Sequence, residues 1–175
     1  AVAITSLGLS VEATEMVGTP VDGVVVAKGL IDGQPAVVIA IEGAFQGGSL
    51  GEVGGAKIAG ALELAAEDNR QGTPTRAVLL LETGGVRLQE ANLGLAAIAD
   101  IHAAIVDLRQ YQPVIGVVAG RCFAGNAAFL GCCDVIIATK DSNIGMGGPA
   151  MVEGGGLGVF KPEQIGPSAV QHGNG

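Results

Sequence analysis

The chain has 175 residues, 49% of them apolar, with 30 glycines and a formal net charge of −8. That length supports one sizeable core and one domain, while the negative balance argues against nucleic acid as a partner. No apolar run can span a bilayer and no signal-peptide pattern leads the chain, so a cytoplasmic protein without a membrane partner is expected.

In chain order, residues 1–20 show no sustained period and read as a leader or an edge element. Two β-rich runs follow, residues 21–30 and 35–43, linked through Asp32-Gly33, a strong hairpin signal. Ser49 and Glu52 have capping-box spacing and predict a helix over 50–69. Gly54 and Gly55 lie inside it, where close packing of helix on sheet would explain them. Residues 76–81 (RAVLLL) read as a central strand, followed by the glycine turn Glu82-Thr83-Gly84-Gly85-Val86-Arg87 and a strongly periodic helix over 90–110. The unit then repeats: a buried strand over 113–118 stopping at Gly120, a turn over 120–126, a short helix over 124–133 and a strand over 134–139. Residues 21–150 form the expected core, and 151–175 a glycine-rich tail, truncated or whole, with 154–158 a loop over the site or a disordered segment. Two strand-turn-helix units in succession place both turns on one sheet edge, where helix-start amides could face each other across a cleft.

Side-chain nucleophiles are poorly represented. His102 falls on the apolar stripe of its helix and reads as structural, and His172 lies in the tail. Residues 47–51 match G-x-S-x-G, but the preceding strand ends too early for a nucleophile elbow, and Ser49 is better used as a cap. No G-x-G-x-x-G follows a strand, and metal-ligand spacing is missing. Cys122, Cys132 and Cys133 form neither a disulfide framework nor a zinc pattern and read as small buried hydrophobes. Catalysis by preorganised backbone dipoles remains, suited to charge developing on a thioester oxygen.

Gly47-Gly48-Ser49, Glu82-Thr83-Gly84-Gly85-Val86-Arg87-Leu88-Gln89-Glu90, the run Gly120 to Ala127 (GRCFAGNA) and Gly147-Gly148-Pro149, in that order, resemble the carboxyltransferase branch of the crotonase superfamily. The wording up to about Gly120 is most similar to the β subunit of malonate decarboxylase; after it, to carboxyltransferases of acyl-CoA carboxylases. The resemblance implies an α/β crotonase-like (ClpP/crotonase) spiral of ββα units. It also implies a backbone oxyanion hole, with Gly125 and Asn126 as one pair of donors and Gly84, Gly85 and Val86 on the other side of the cleft. Asn126 departs from the family glycine. Ala128 and Ala150 stand where enoyl-CoA hydratases carry their two glutamates, which disfavours hydration.

The function so implied is decarboxylation of a malonyl thioester to an acetyl thioester, the acyl group riding on CoA or on a carrier protein's CoA-derived arm, with no covalently bound cofactor. Arg87 and Arg121 are the implied substrate contacts, although an Arg in such a turn also ties its loop to Glu82 or Glu90. Lys57 reads as a solvated lysine and Glu90 as a helix-start charge. A related γ-type subunit or a second copy is the implied partner. Two alternatives stay open: the carboxyltransferase subunit of a biotin-dependent acyl-CoA carboxylase, and a non-catalytic or designed scaffold of the same fold.

Overall fold

The computed structural model describes the backbone of residues 12–17 and residues 22–174 in full. The remainder of the predicted leader lies outside the described residues. A seven-stranded sheet forms the centre, in the order β1 (Glu12–Val17), β2 (Val24–Ile31), β3 (Gln34–Ile41), β5 (Arg76–Thr83), β7 (Val114–Phe123), β8 (Val135–Ala138), with β9 (Asn143–Gly145) also pairing β7. The first three strands are antiparallel, and β3, β5, β7 and β8 run parallel. β4 (Ser49–Leu50) and β6 (Gly85–Val86) make a separate two-stranded parallel sheet.

The predicted hairpin forms as read. Asp32 and Gly33 have φ of 50° and 73°, the left-handed pair that a two-residue turn with the twist of its strands requires. Parallel pairing demands crossovers, and helices α1 (Glu52–Arg70) and α2 (Asn92–Leu108) supply them. Ile58, Leu62, Ile101, Ile105 and Leu108 pack with Ile39, Leu79 and Val118 in the main core. Each of these side chains contributes roughly 1.5–3 kcal/mol on full burial. Gly54 and Gly55 have the structural role expected. A methyl at Gly54 would approach Val24 Cγ2 to 2.9 Å, and one at Gly55 would overlap Ala97, so the two glycines set the approach of α1 to β2 and to α2.

Several local expectations are corrected. The Ser49–Glu52 capping box does not form: Ser49 belongs to β4, the N-cap is Gly51 without a side-chain cap, and the Glu52 N–H donates instead to Glu90, 38 residues away, at 2.6 Å. Glu90 does complement a helix start, but that of α1 rather than its own. Strand β7 does not stop at Gly120. It continues to Phe123 because Arg121, Cys122 and Phe123 pair with β9, a partner 22 residues on that local patterning cannot show. Lys57 is no solvated lysine: its Nζ donates to Val24 O at 2.7 Å and pairs with the buried Asp22 carboxylate at 2.9 Å, tying α1 to the start of β2. The glycine-rich tail is folded back onto the sheet. Ile144 N–H donates to Gly166 O at 2.8 Å, Ser168 N–H to Ser142 O at 2.9 Å, and Gln171 to Ile144 O at 2.7 Å, with helices α4 (Pro149–Gly154) and α5 (Ser168–Asn174) in that segment. The short helix of the second unit, α3, is confined to Gly125–Leu130.

Candidate active site

Because β5 and β7 are adjacent and parallel, the turns at their C-terminal ends lie side by side. The ladder slips there. Leu81 pairs with Val118, but Thr83 pairs with Cys122, so β7 carries extra residues in the bulge. Gly120 falls in that stretch, and a methyl on it would meet Glu82 Cγ at 3.1 Å.

The first turn is bound to the loop ahead of α1. Gly84 N–H donates to Gly47 O at 2.9 Å, Gly85 N–H to Thr83 Oγ1 at 3.1 Å, and Arg87 N–H to Leu50 O at 2.8 Å. Thr83, fully buried, donates its hydroxyl to Gly48 O at 2.5 Å. Gly48 has φ 69°, and a methyl there would overlap Glu82 O, so only glycine fits.

The second turn is built differently. Ala124 takes φ 57° and ψ −138°, a sparsely populated conformation for a residue with a Cβ that stores about 1–3 kcal/mol, and its N–H donates to Gly145 O at 2.9 Å. α3 then starts with no side-chain cap, and the N–H groups of Gly125 and Asn126 donate to no acceptor within the described residues. Asn126 has 0% exposure; its Nδ2 donates to Thr83 Oγ1 and, at 3.3 Å, to Gly85 O. Gly125 is pressed against both neighbours, since a methyl on it would lie 3.3 Å from Val86 Cγ2 and 3.2 Å from Ile98 Cγ2.

Gly84, Gly85, Val86, Gly125 and Asn126 are therefore brought together. Their readiness to donate differs. The amides of Gly84 and Gly85 are engaged inside the protein, which corrects their reading as free donors; they frame the turn. Adjacent amides of a strand face opposite ways, so with Arg87 N–H on Leu50 O the Val86 N–H turns away from β4. Arg87, read as either a substrate contact or a loop tie, makes the tie to Glu90: it pairs with that carboxylate at 2.9 Å, donates to Ser49 O at 2.9 Å and lies 5.9 Å from the Phe45 ring centre. Arg121 is less committed. Its Nη2 reaches Gly47 O at 3.4 Å, its Nε is buried without a partner, and it makes no ion pair among the described residues.

His102, the three cysteines and Glu90 have surroundings that suit a structural role. His102 Nδ1 lies 2.7 Å from Ile98 O with its ring edge-on to Phe129. Burial pushes the Cys122 and Cys133 thiols up to about 12, while Cys132 is half-buried; all three are free. The Glu52 N–H, and after it Arg87, hold the Glu90 carboxyl below its ordinary range. Among the described residues no helix is long and apolar enough to cross a membrane, and no three His, Cys, Asp or Glu side chains are grouped to hold a metal ion. Thr83 and Ala124 escaped the sequence reading. The one signal for Thr83 is a hydroxyl residue between an apolar strand and Gly84-Gly85; nothing local marks Ala124.

A parallel sheet crossed by α1 and α2, with two glycine-rich turns meeting at one edge, defines a crotonase-like α/β fold. The carboxyl transferase domain matches residues 5–172, and the chain belongs to that family. It is similar to a malonate decarboxylase MdcD-MdcE hetero-dimer from Pseudomonas, with 64% identity and a TM-score of 0.78 over 83% of this chain and 65% of that one. It is 38% identical over 144 residues to the malonyl-S-ACP:biotin-protein carboxyltransferase MADC of Malonomonas rubra, covering 75% of this chain and 45% of the relative. A single-chain, multi-domain long-chain acyl-CoA carboxylase matches at 37% identity and a TM-score of 0.78, over 93% of this chain and 18% of that one. The chain thus spans less than half the length of the Malonomonas relative and under two thirds of the decarboxylase chain.

Proposed function

We propose that this chain is the carboxyltransferase-type subunit of a malonate decarboxylase, with residues 21–150 as its catalytic core. The observation that carries this reading is the meeting of the two turns with the Gly125 and Asn126 amides left without acceptors among the described residues. The carbonyl oxygen of a malonyl thioester accepts from these two N–H groups, with Val86 completing the wall. The bond between the α carbon and the carboxylate breaks, CO₂ leaves, and its electron pair becomes the enolate, whose negative oxygen the amides hold. Protonation of the α carbon gives the acetyl thioester. Preorganised amides need little reorganisation as charge develops, and one such donor contributes on the order of 3 kcal/mol.

The substrate is carried as a thioester on CoA or on the CoA-derived arm of an acyl carrier protein in the cytoplasm, and Arg121, which makes no ion pair among the described residues, is the proposed contact for the anionic carrier. The partner is a related carboxyltransferase subunit, in keeping with the hetero-dimer formed by the Pseudomonas relative. A second reading, transfer of the carboxyl group to biotin, is favoured by the likeness to the Malonomonas carboxyltransferase. The test is production of acetyl thioester and CO₂ from malonyl-CoA and malonyl carrier protein by the chain with its partner subunit, with and without a biotin acceptor. Acetyl thioester formed without biotin supports decarboxylation. Product formed only with biotin supports transfer, and none in either arm overturns both.

A further inference from the structure

The hydroxyl of Thr83 is a saturated junction between three segments. A threonine hydroxyl has one hydrogen to donate and two lone pairs. Here the hydrogen goes to Gly48 O, and the lone pairs accept from Gly85 N–H at 3.1 Å and from Asn126 Nδ2. Each partner belongs to a different glycine-rich turn, and Thr83 and Asn126 are both 0% exposed. The Asn126 carboxamide cannot be reversed, because that would set Oδ1 against Gly85 O, acceptor on acceptor. Its orientation is held by Nδ2, and Oδ1 has no partner among the described residues.

The juxtaposition has a mechanical consequence. The first turn is held to the loop before α1 by the β4–β6 ladder, but no backbone hydrogen bond joins it to Gly125 or Asn126. The polar link across that gap is made by the Asn126 side chain, to Thr83 Oγ1 and Gly85 O. We infer that Thr83 and Asn126 are positioning residues: their buried side-chain hydrogen bonds set the distance between the Val86 wall and the Gly125 and Asn126 amides. This rests on the enolate-holding role proposed above. It goes beyond that role in giving the Asn126 side chain, and not only its main chain, a task at the site.

The test is Thr83→Val, which keeps the shape of the side chain and removes all three hydrogen bonds, beside Thr83→Ser and Asn126→Ala. Steady-state kinetics are measured in the assembly in which the wild-type chain turns over, together with amide hydrogen exchange at Gly85. A misplacement of catalytic groups by about 1 Å costs up to about 100-fold, so Thr83→Val and Asn126→Ala should lower kcat by about 10- to 100-fold with KM nearly unchanged. Thr83→Ser should recover most of the loss, and Gly85 exchange should quicken in Thr83→Val alone. Folded Thr83→Val and Asn126→Ala proteins that keep wild-type kcat, or a Gly85 amide that exchanges no faster in Thr83→Val, would overturn the inference. If the wild-type chain forms no acetyl thioester in any assembly, the decarboxylase reading falls, and the exchange measurement still decides whether the junction holds the turn.

Discussion

The turn after β5 and the turn after β7 start from similar local chemistry, a buried strand running into a glycine-containing turn and then a helix, yet they reach opposite hydrogen-bonding states. The first has its Gly84 and Gly85 amides engaged by Gly47 O and Thr83 Oγ1. The second leaves Gly125 and Asn126 without acceptors in the described chain. The difference arises from what lies opposite. Residues 47–50 run alongside the first turn and engage Gly84 and Arg87 N–H, while at the second turn the pairing with β9 ends at Ala124, whose left-handed backbone leads straight into α3. A glycine turn is thus a capacity for donation; whether it binds a ligand or braces the fold depends on what the rest of the chain brings to it.

The sharpest way to break this contrast is Gly125→Val. Branches on the Cβ would be driven into Val86 and Ile98, so turnover should fall by about 100-fold or more while the melting transition stays cooperative. Acetyl thioester formation beside a thermal melt checks both, and near wild-type turnover would remove Gly125 from the site. On the braced side the effect should fall on stability. Gly48→Ala places a methyl against Glu82 O at a left-handed position and should cost about 3 kcal/mol or more, read from a urea titration.

A smaller, pH-dependent effect tests the brace between α1 and the first turn. Glu90 is held below the ordinary carboxylate range first by the Glu52 N–H and then by Arg87. A depressed folded-state pKa adds stability that is present above the unfolded pKa of about 4.3 and is lost as pH falls through the lower folded value. Glu90→Gln should therefore melt earlier than wild type at pH 7, show a flatter fall below about pH 4.5, and converge with wild type in strong acid. Parallel melting curves at every pH would show that the ionised carboxylate contributes nothing there. The least perturbing probe is thiol labelling. With Cys122 and Cys133 pushed up to about 12 by burial, brief iodoacetamide treatment of native protein at pH 8 should modify Cys132 first, and mass mapping that finds Cys122 labelled equally would contradict its burial.

Where an element is specified by its own residues, the sequence reading is close to the structure. Asp32-Gly33 makes the hairpin because those two residues tolerate positive φ, and the apolar stripe Ile98, Ile101, Ile105 and Leu108 makes α2 because its period matches the helix. Where the partner is distant, local reading fails. Ser49 has the spacing of a cap, but pairing with Gly85 draws it into β4, and Glu90 takes over the Glu52 amide. Lys57 has nothing beside it in the chain that foretells Asp22, and Gly120 reads as a stop because β9 is invisible from residues 113–120.

The candidate site divides in the same way. Residue order alone established two glycine-rich turns at the ends of successive strands and the lack of a side-chain nucleophile pattern. Only the folded chain decided that the Gly84 and Gly85 amides have acceptors while those of Gly125 and Asn126 have none among the described residues, and that Thr83 joins the two turns. A backbone amide has no identity in sequence beyond the residue that carries it. Whether it is free to hold a negative oxygen depends on which carbonyls and hydroxyls the tertiary packing sets within about 3 Å of it.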